Sequence, residues 1–210
     1  MRAVCFFLGL VLVACLCGNA AAAPAGRPET VLTAIQKAID TQDMKAFERH
    51  VDMDSLLEQG ASSVVNTLQQ VGTIDTSGLP PLLALMASSI RQPEMARQVK
   101  MLLKSEVESF VRYGVTSGAF AGKKPSGSPD GLIAPLMRDV STGRKELKRS
   151  AAVRKEASGS YVVPAVIHDY GNGRDYRVDL RVRAEQDVWK VQEIANMDRL
   201  LEKLRKEAAE

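Results

Sequence analysis

Cysteine is absent from the body of this 210-residue chain: Cys5, Cys15 and Cys17 all lie in the first seventeen positions. Beyond them no side chain can form a disulfide, act as a thiolate nucleophile or hold zinc through sulfur. Histidine is nearly as scarce, with His50 and His168 far apart in the sequence, so a dedicated transition-metal site is not expected and no cofactor is called for. Aromatic residues make up 5% and Trp189 is the single tryptophan, which leaves aliphatic side chains to build the core. No Gly-x-Ser-x-Gly elbow, nucleotide phosphate loop or dinucleotide glycine motif occurs. Gly171-Asn172-Gly173 is turn chemistry, and Asp52 and Asp54 lack the glycine-centred loop of a calcium hand. Twenty-eight basic residues against 25 acidic ones give a net charge of +3. That balance excludes a strongly basic nucleic-acid binder, and no aromatic ladder suits single strands.

What is present begins with an address. Met1 and Arg2 precede an apolar run from Ala3 to Cys17 that is interrupted by Gly9. Fifteen residues fall short of the ~20 needed to span a bilayer as a helix. With small residues behind it, the stretch reads as an export signal over residues 1–22. Two cleavage routes are open. Leu12-Val13-Ala14-Cys15 resembles a bacterial lipobox, which would leave Cys15 acylated and N-terminal. Cleavage after Ala22 would leave a free mature chain. An acyl anchor at Cys15 implies a membrane surface as partner and a place in the bacterial periplasm or cell envelope.

The rest divides into a helical half, residues 24–122, and a half dominated by strands, residues 132–210, joined by a loop at 123–131 within one compact domain. Val31, Ala34, Ile35, Ala38 and Ile39 form the stripe of an amphipathic helix, with Thr30 as its expected cap. Thr41 is expected to cap a short second helix carrying Met44, Phe47 and His50, and Asp54 a third over 55–70. Met95, Val99, Leu102, Leu103, Val107, Phe110 and Val111 predict the longest helix, ending near Gly114. Shorter apolar segments are expected at 82–90 and 132–140. Then the period becomes two: Tyr176, Val178, Leu180, Val182 and Ala184 alternate with charged residues, the pattern of a half-buried antiparallel strand. Strands are also predicted over 146–154, 161–168 and 188–194, with a hairpin at Asn172-Gly173. Pro164 has no N–H to give, so its strand is expected at an edge or with a bulge. Leu200, Leu201 and Leu204 give a closing helix one apolar face. The fold class is α+β, with N-terminal helices packed on a curved antiparallel sheet of three to four strands.

Helices followed by a meander that ends in Trp189-Lys190-Val191 resemble the nuclear-transport-factor-like cone fold, also called ketosteroid-isomerase-like. The opening Val31-x-x-Ala34-Ile35-x-x-Ala38-Ile39-Asp40, with Asp43, Phe47 and Val51-Asp52, is similar to a bacterial envelope family known as a domain of unknown function. The resemblance covers Val31 to Glu58 and implies a sheet wrapped around helices, with a pocket between them.

Two histidines compete as general bases. His50 stands beside Asp52 and Asp54, where helix ending and capping account for all three. His168 precedes Asp169 and Tyr170. On a strand His168 and Tyr170 share a face and Asp169 takes the other. Arg144, Lys145, Lys148, Arg149, Arg154 and Lys155, followed by Arg177, Arg181 and Arg183, form a basic patch that suits a solvated outer face. The expectation is a non-enzymatic envelope lipoprotein that binds a small apolar ligand or an envelope protein through a helix–sheet pocket lined by Val163, Ile167, Tyr176, Val178, Leu180 and Trp189. The alternatives are a cone-fold isomerase- or hydrolase-like enzyme with His168 as base, and a periplasmic lipid carrier.

Overall fold

The stripe of Val31, Leu32, Ile35, Ala38 and Ile39 is buried along helix α1, Thr30–Asp40, in a computed structural model that describes residues 26–71, 90–125 and 143–207. Thr30 does not cap this helix; it is the first helical residue, and its hydroxyl donates to the Arg27 carbonyl at 2.7 Å. Thr41 ends α1, its hydroxyl donating to the Lys37 carbonyl at 2.8 Å. Gln42 then takes a left-handed φ of 59°, and the Asp43 amide closes back onto the Ala38 carbonyl at 2.9 Å. This stop is built on a left-handed residue. Because Thr41 is committed there, the cap of α2, Met44–His50, falls to Asp43, whose carboxylate accepts from the Ala46 amide at 2.9 Å. The same displacement occurs one helix later. Asp52, not Asp54, accepts from the Ser55 amide at the start of α3, Met53–Val71, and Asp54 lies within the first turn.

Helix α4, Pro93–Thr116, opens on a proline whose missing N–H is not needed in a first turn. It runs past the expected stop: Gly114 is buried inside the helix beneath the ring of Phe120. A short 3-10 turn, Ala119–Ala121, follows, held between Gly118 and Gly122 at φ of 76° and 80°. The apolar segments expected at 82–90 and 132–140 lie, except for Ile90, outside the described residues, as does the part of the expected loop from 126 to 131.

The sheet contains β1 (Lys145–Arg149), β2 (Arg154–Lys155), β3 (Tyr161–Asp169), β4 (Arg174–Glu185) and β5 (Val188–Ile194), all antiparallel. Their order is β1-β3-β4-β5, with β2 also pairing with β3. The helix α5, Met197–Glu207, closes the described chain. The molecule is therefore α+β, with its helices mostly N-terminal and its sheet C-terminal.

Pro164 corrects the expected strand pattern. Its strand β3 is central, not an edge. What is interrupted is the neighbour: β1 stops opposite Ala165 and β2 resumes opposite Val162. The Ser150 amide donates to the Pro164 carbonyl at 3.0 Å, so the proline nitrogen points to this same side, into the gap. The missing donor thus splits the predicted strand at 146–154 in two. The hairpin is also longer than expected. Four residues, Tyr170 to Gly173, connect Asp169 to Arg174. The Asp169 carboxylate accepts from the Gly171 amide at 2.9 Å, and Gly173 adopts a φ of 69°.

Val163, Ala165, Val178, Leu180, Val182 and Val191 on one sheet face pack with Val31, Ile35, Ile39, Phe47, Phe110, Val115 and Phe120 in a single cluster drawn from both halves of the chain. Each such fully buried aliphatic side chain is worth about 1.5–3 kcal/mol relative to exposure. A second cluster, containing Ala61, Val65, Leu68, Ile90, Val99 and Leu103, joins α3 to α4.

Both borders of the sheet are closed by side-chain amides. Gln36 of α1 donates to the Lys145 carbonyl at 3.3 Å and accepts from the Leu147 amide at 2.9 Å, as a strand would. Gln59 of α3 makes the same two-point contact with Ile194 at 2.8 and 2.9 Å. Asn196 does so along β4, donating to Arg177 and accepting from Asp179. Open backbone ladders recruit other chains; here two helices and the turn before α5 occupy part of them.

Candidate functional site

His168 lies on the sheet face opposite the core, at the far end of β3. The four-residue hairpin brings Asp175 directly across from it. Its Nδ1 stands 2.6 Å from the Asp175 carboxylate. A carboxylate only accepts, so Nδ1 carries the proton and Nε2 is left for other partners. The ring meets that of Tyr170 edge-on at 4.3 Å, the shared face expected from the strand period. The Tyr170 hydroxyl donates to Glu146 at 2.6 Å, the Arg144 guanidinium sits 5.2 Å from the centre of its ring, and Lys148 pairs with Glu146 at 3.1 Å. These contacts hold the Glu146 carboxyl below its ordinary range, the Tyr170 hydrogen bond first and Lys148 second. The same bond raises the Tyr170 hydroxyl. The His168 side chain is 31% exposed and Asp175 65%. The group is an open polar cluster on the surface.

Asp169, next in sequence, points the other way and is 1% exposed. Its partner is Lys145, directly opposite on β1, at 2.7 Å. Burial pushes the Lys145 ammonium down, against the opposing pull of Asp169. The Phe120 ring lies 5.5 Å from Lys145 Nζ. No sequence pattern marks this pair, because each residue sits where an alternating strand is otherwise apolar.

The six side chains expected to line a pocket occupy three settings. Val163, Val178 and Leu180 are buried in the main cluster, in contact with helix side chains. Tyr176 is buried at the hairpin end; its hydroxyl accepts from the Asn172 side-chain Nδ2 at 2.9 Å, and Lys203 of α5 lies 5.0 Å from its ring centre. Ile167 and Trp189 are half-buried at opposite ends of the same face. Trp189 stacks edge-on with Tyr161 at 5.3 Å, and its indole N–H donates to the Gly26 carbonyl at 3.2 Å. Two clefts between described residues lie elsewhere. One, of about 460 Å³, runs between α1 and β1 and is lined by Leu32, Gln36, Lys37, Leu147 and Arg149 among others. The second, of about 470 Å³, lies between α3 and the bulged part of the sheet, beside Ser55, Ser62, Arg183 and Gln192.

His50 ends α2, and its Nδ1 donates to the Trp189 carbonyl at 3.1 Å. The adjacent Asp52 is engaged as the α3 cap, so the two are not arranged as a base with its orienting acid. The basic patch is largely paired. Arg149 reaches Glu29, Arg154 reaches Asp179, and Arg181 binds both Glu156 and Glu193. Glu156 is held below its ordinary range by Arg181 and then by the Ser160 hydroxyl. Cys15 lies outside the described residues. Among those residues no helix is long and apolar enough to cross a membrane, and no three His, Cys, Asp or Glu side chains converge on a metal-sized site.

No protein-family model, no curated protein and no solved structure matches this chain.

Proposed function

We propose that the chain is a non-enzymatic cell-envelope protein of the cone-fold class, exported by its N-terminal signal, cut before Cys15 and held to a membrane by an acyl group on that cysteine, and active as a binding module for an envelope protein. The observation that carries this reading is the state of the interior. Val163, Val178 and Leu180, three of the side chains expected to line a pocket, belong to one buried cluster with Ile35, Ile39 and Phe110. An apolar ligand would have to displace that packing. His168, the base of the alternative enzyme, sits on the opposite face with its side chain partly exposed. This combination favours recognition through the outer surface over catalysis or lipid carriage within.

Intact-mass analysis of the protein purified from its native envelope tests the reading. The expected mass is that of a chain beginning at an acylated Cys15, with no stoichiometric lipid retained beyond the covalent one. A mature chain beginning at Ala23 would remove the anchor. An equimolar bound lipid would instead identify a carrier.

A further inference from the structure

We infer that the unpaired stretch of β1 takes up an extended segment of the partner protein as an added strand, and that this segment sets one apolar and two acidic side chains beside Leu147, Lys148 and Arg149. The inference rests on the binding-module reading above and names the surface and the partner chemistry for it.

The ladder decides which backbone groups of β1 are free. The Tyr170 amide donates to the Arg144 carbonyl and the Ser150 amide to the Pro164 carbonyl, so the even-numbered residues of this stretch bond to β3. In an antiparallel pair the residues between them turn both backbone groups the other way. Lys145, Leu147 and Arg149 therefore face the open border, and Gln36 agrees by taking the Lys145 carbonyl and the Leu147 amide. Its reach ends there. Among the described residues nothing bonds the Leu147 carbonyl or the Arg149 amide. The cleft of about 460 Å³ lies on this same stretch, between Leu32, Thr33 and Lys37 of α1 and Leu147 and Arg149 of β1, a size within the ~300–1,000 Å³ of ligand-holding clefts. By contrast the β5 border is held at three points along its length: His50 takes the Trp189 carbonyl, the Asp52 amide takes that of Val191, and Gln59 takes both groups of Ile194. Unpaired backbone at a sheet border is the template for strand addition.

Register and charge name the occupant. A strand added in either direction places successive side chains beside Leu147, Lys148 and Arg149. Leu147 packs on the main cluster and calls for an apolar neighbour. Lys148 and Arg149 are exposed. Their present partners are Glu146 and Glu29, and pairs with exposed cations are worth little, so carboxylates of an incoming segment can share or replace them. Lys37, exposed on the other wall of the cleft, makes no ion pair among the described residues. A second copy suits this border poorly. With Gln36 on the first step, two copies can meet only about Arg149. That sets Arg149 against Arg149, and like charges directly opposite destabilise.

The full chain, purified and immobilised through its C-terminus, is panned with a display library of random heptapeptides, and the selected peptides are synthesised for titration. Enriched sequences should hold an apolar residue next to two acidic ones. Added to the isotope-labelled full chain, such a peptide should slow hydrogen exchange at the Arg149 amide, which exchanges freely without it. R149P removes that N–H, which Arg149 gives to no described residue, and proline is tolerated on an edge strand with its nitrogen outward. Binding to R149P should weaken by about tenfold or more, and to R149A, which keeps the N–H, by about twofold to fivefold. K148E leaves the backbone untouched and should replace one acidic position of the selected sequences by a basic one. Circular dichroism checks that each variant is folded; were R149P to unfold, the exchange and K148E arms decide. Peptides that bind R149P as well as wild type, or an Arg149 amide already protected in the free chain, would overturn this site and leave the binding-module reading standing. A library that yields no binder would overturn both. Protection that appears with protein concentration alone would assign the border to a second copy and overturn the partner segment.

Discussion

Replacing Gly114 with alanine sets two effects of known sign against each other. In an unencumbered helix interior the change stabilises by about 1 kcal/mol, because glycine gives up more backbone freedom on folding. Here the new Cβ would lie 2.5 Å from Cε1 of Phe120, and nearer still to Cζ and Cε2. Packed carbons sit about 3.5–4.0 Å apart, so the overlap exceeds roughly 1 Å. The ring has little room to retreat: it is 8% exposed, packs edge-on against Phe110 at 5.6 Å, and lies beside the half-buried Lys145. Overpacking of this kind costs about 1–3 kcal/mol, with the larger value suited to a whole aromatic ring. We expect G114A to be destabilised by about 1–2 kcal/mol net. In a domain of this size that lowers Tm by about 2–8 °C. Thermal and urea unfolding, followed by circular dichroism and by Trp189 emission, measure it. In an F120L background the penalty should shrink or change sign, giving a coupling of about 0.5–3 kcal/mol. A G114A protein more stable than wild type by about 1 kcal/mol, with the same increment in both backgrounds, would refute the steric account.

Further outcomes follow from the charges. K145M or D169N alone should cost about 3–5 kcal/mol, since either strands its partner in the interior, whereas K145M combined with D169L should recover most of the loss; urea unfolding of the three variants decides this. Because burial lowers the Lys145 pKa from 10.5, the folded state binds fewer protons there than the unfolded one, and this group makes stability rise with pH through the window just below 10.5. Glu58, Glu146 and Glu156 are shifted below their ordinary 4.5. Their contributions are therefore complete above pH 4.5 and disappear as pH falls through the folded values. Y170F removes the largest cause at Glu146 and should move that carboxyl back toward 4.5, as read by NMR titration of its side-chain carbon.

Periodicity carried much of this fold. The spacing of Val31 to Ile39 and the alternation of Tyr176 to Val182 identify the buried faces of α1 and β4, because burial acts on every third or fourth residue of a helix and every second residue of a strand. Local competition was harder to read. Thr41, Asp43, Asp52 and Asp54 are all competent caps, and which one serves depends on how the preceding helix ends. Gly114 has the chemistry of a helix stop; its role as clearance for Phe120 depends on a chain reversal six residues later. Pro164 correctly signalled a defect, yet the defect falls in the neighbouring strand, which only the register of three strands reveals. The site divides similarly. His168 and Tyr170 share a face as strand geometry requires. Asp175 becomes the partner of His168 through the length of the hairpin loop, and the Lys145–Asp169 pair through cross-strand register. Gln36, Gln59 and Asn196 carry no sequence signal, since their task is set by where two elements happen to meet.

Those three residues also give the sheet a shelf life. Slow hydrolysis, which consumes a water and releases ammonia, converts a primary amide into a carboxylate, which has two acceptor oxygens and no donor. At Gln36, Gln59 or Asn196 the product would face the carbonyl of Lys145, Ile194 or Arg177, exchanging a hydrogen bond for repulsion. Chemical ageing at a single such position would therefore unlatch a border of the sheet while leaving its hydrophobic interior untouched.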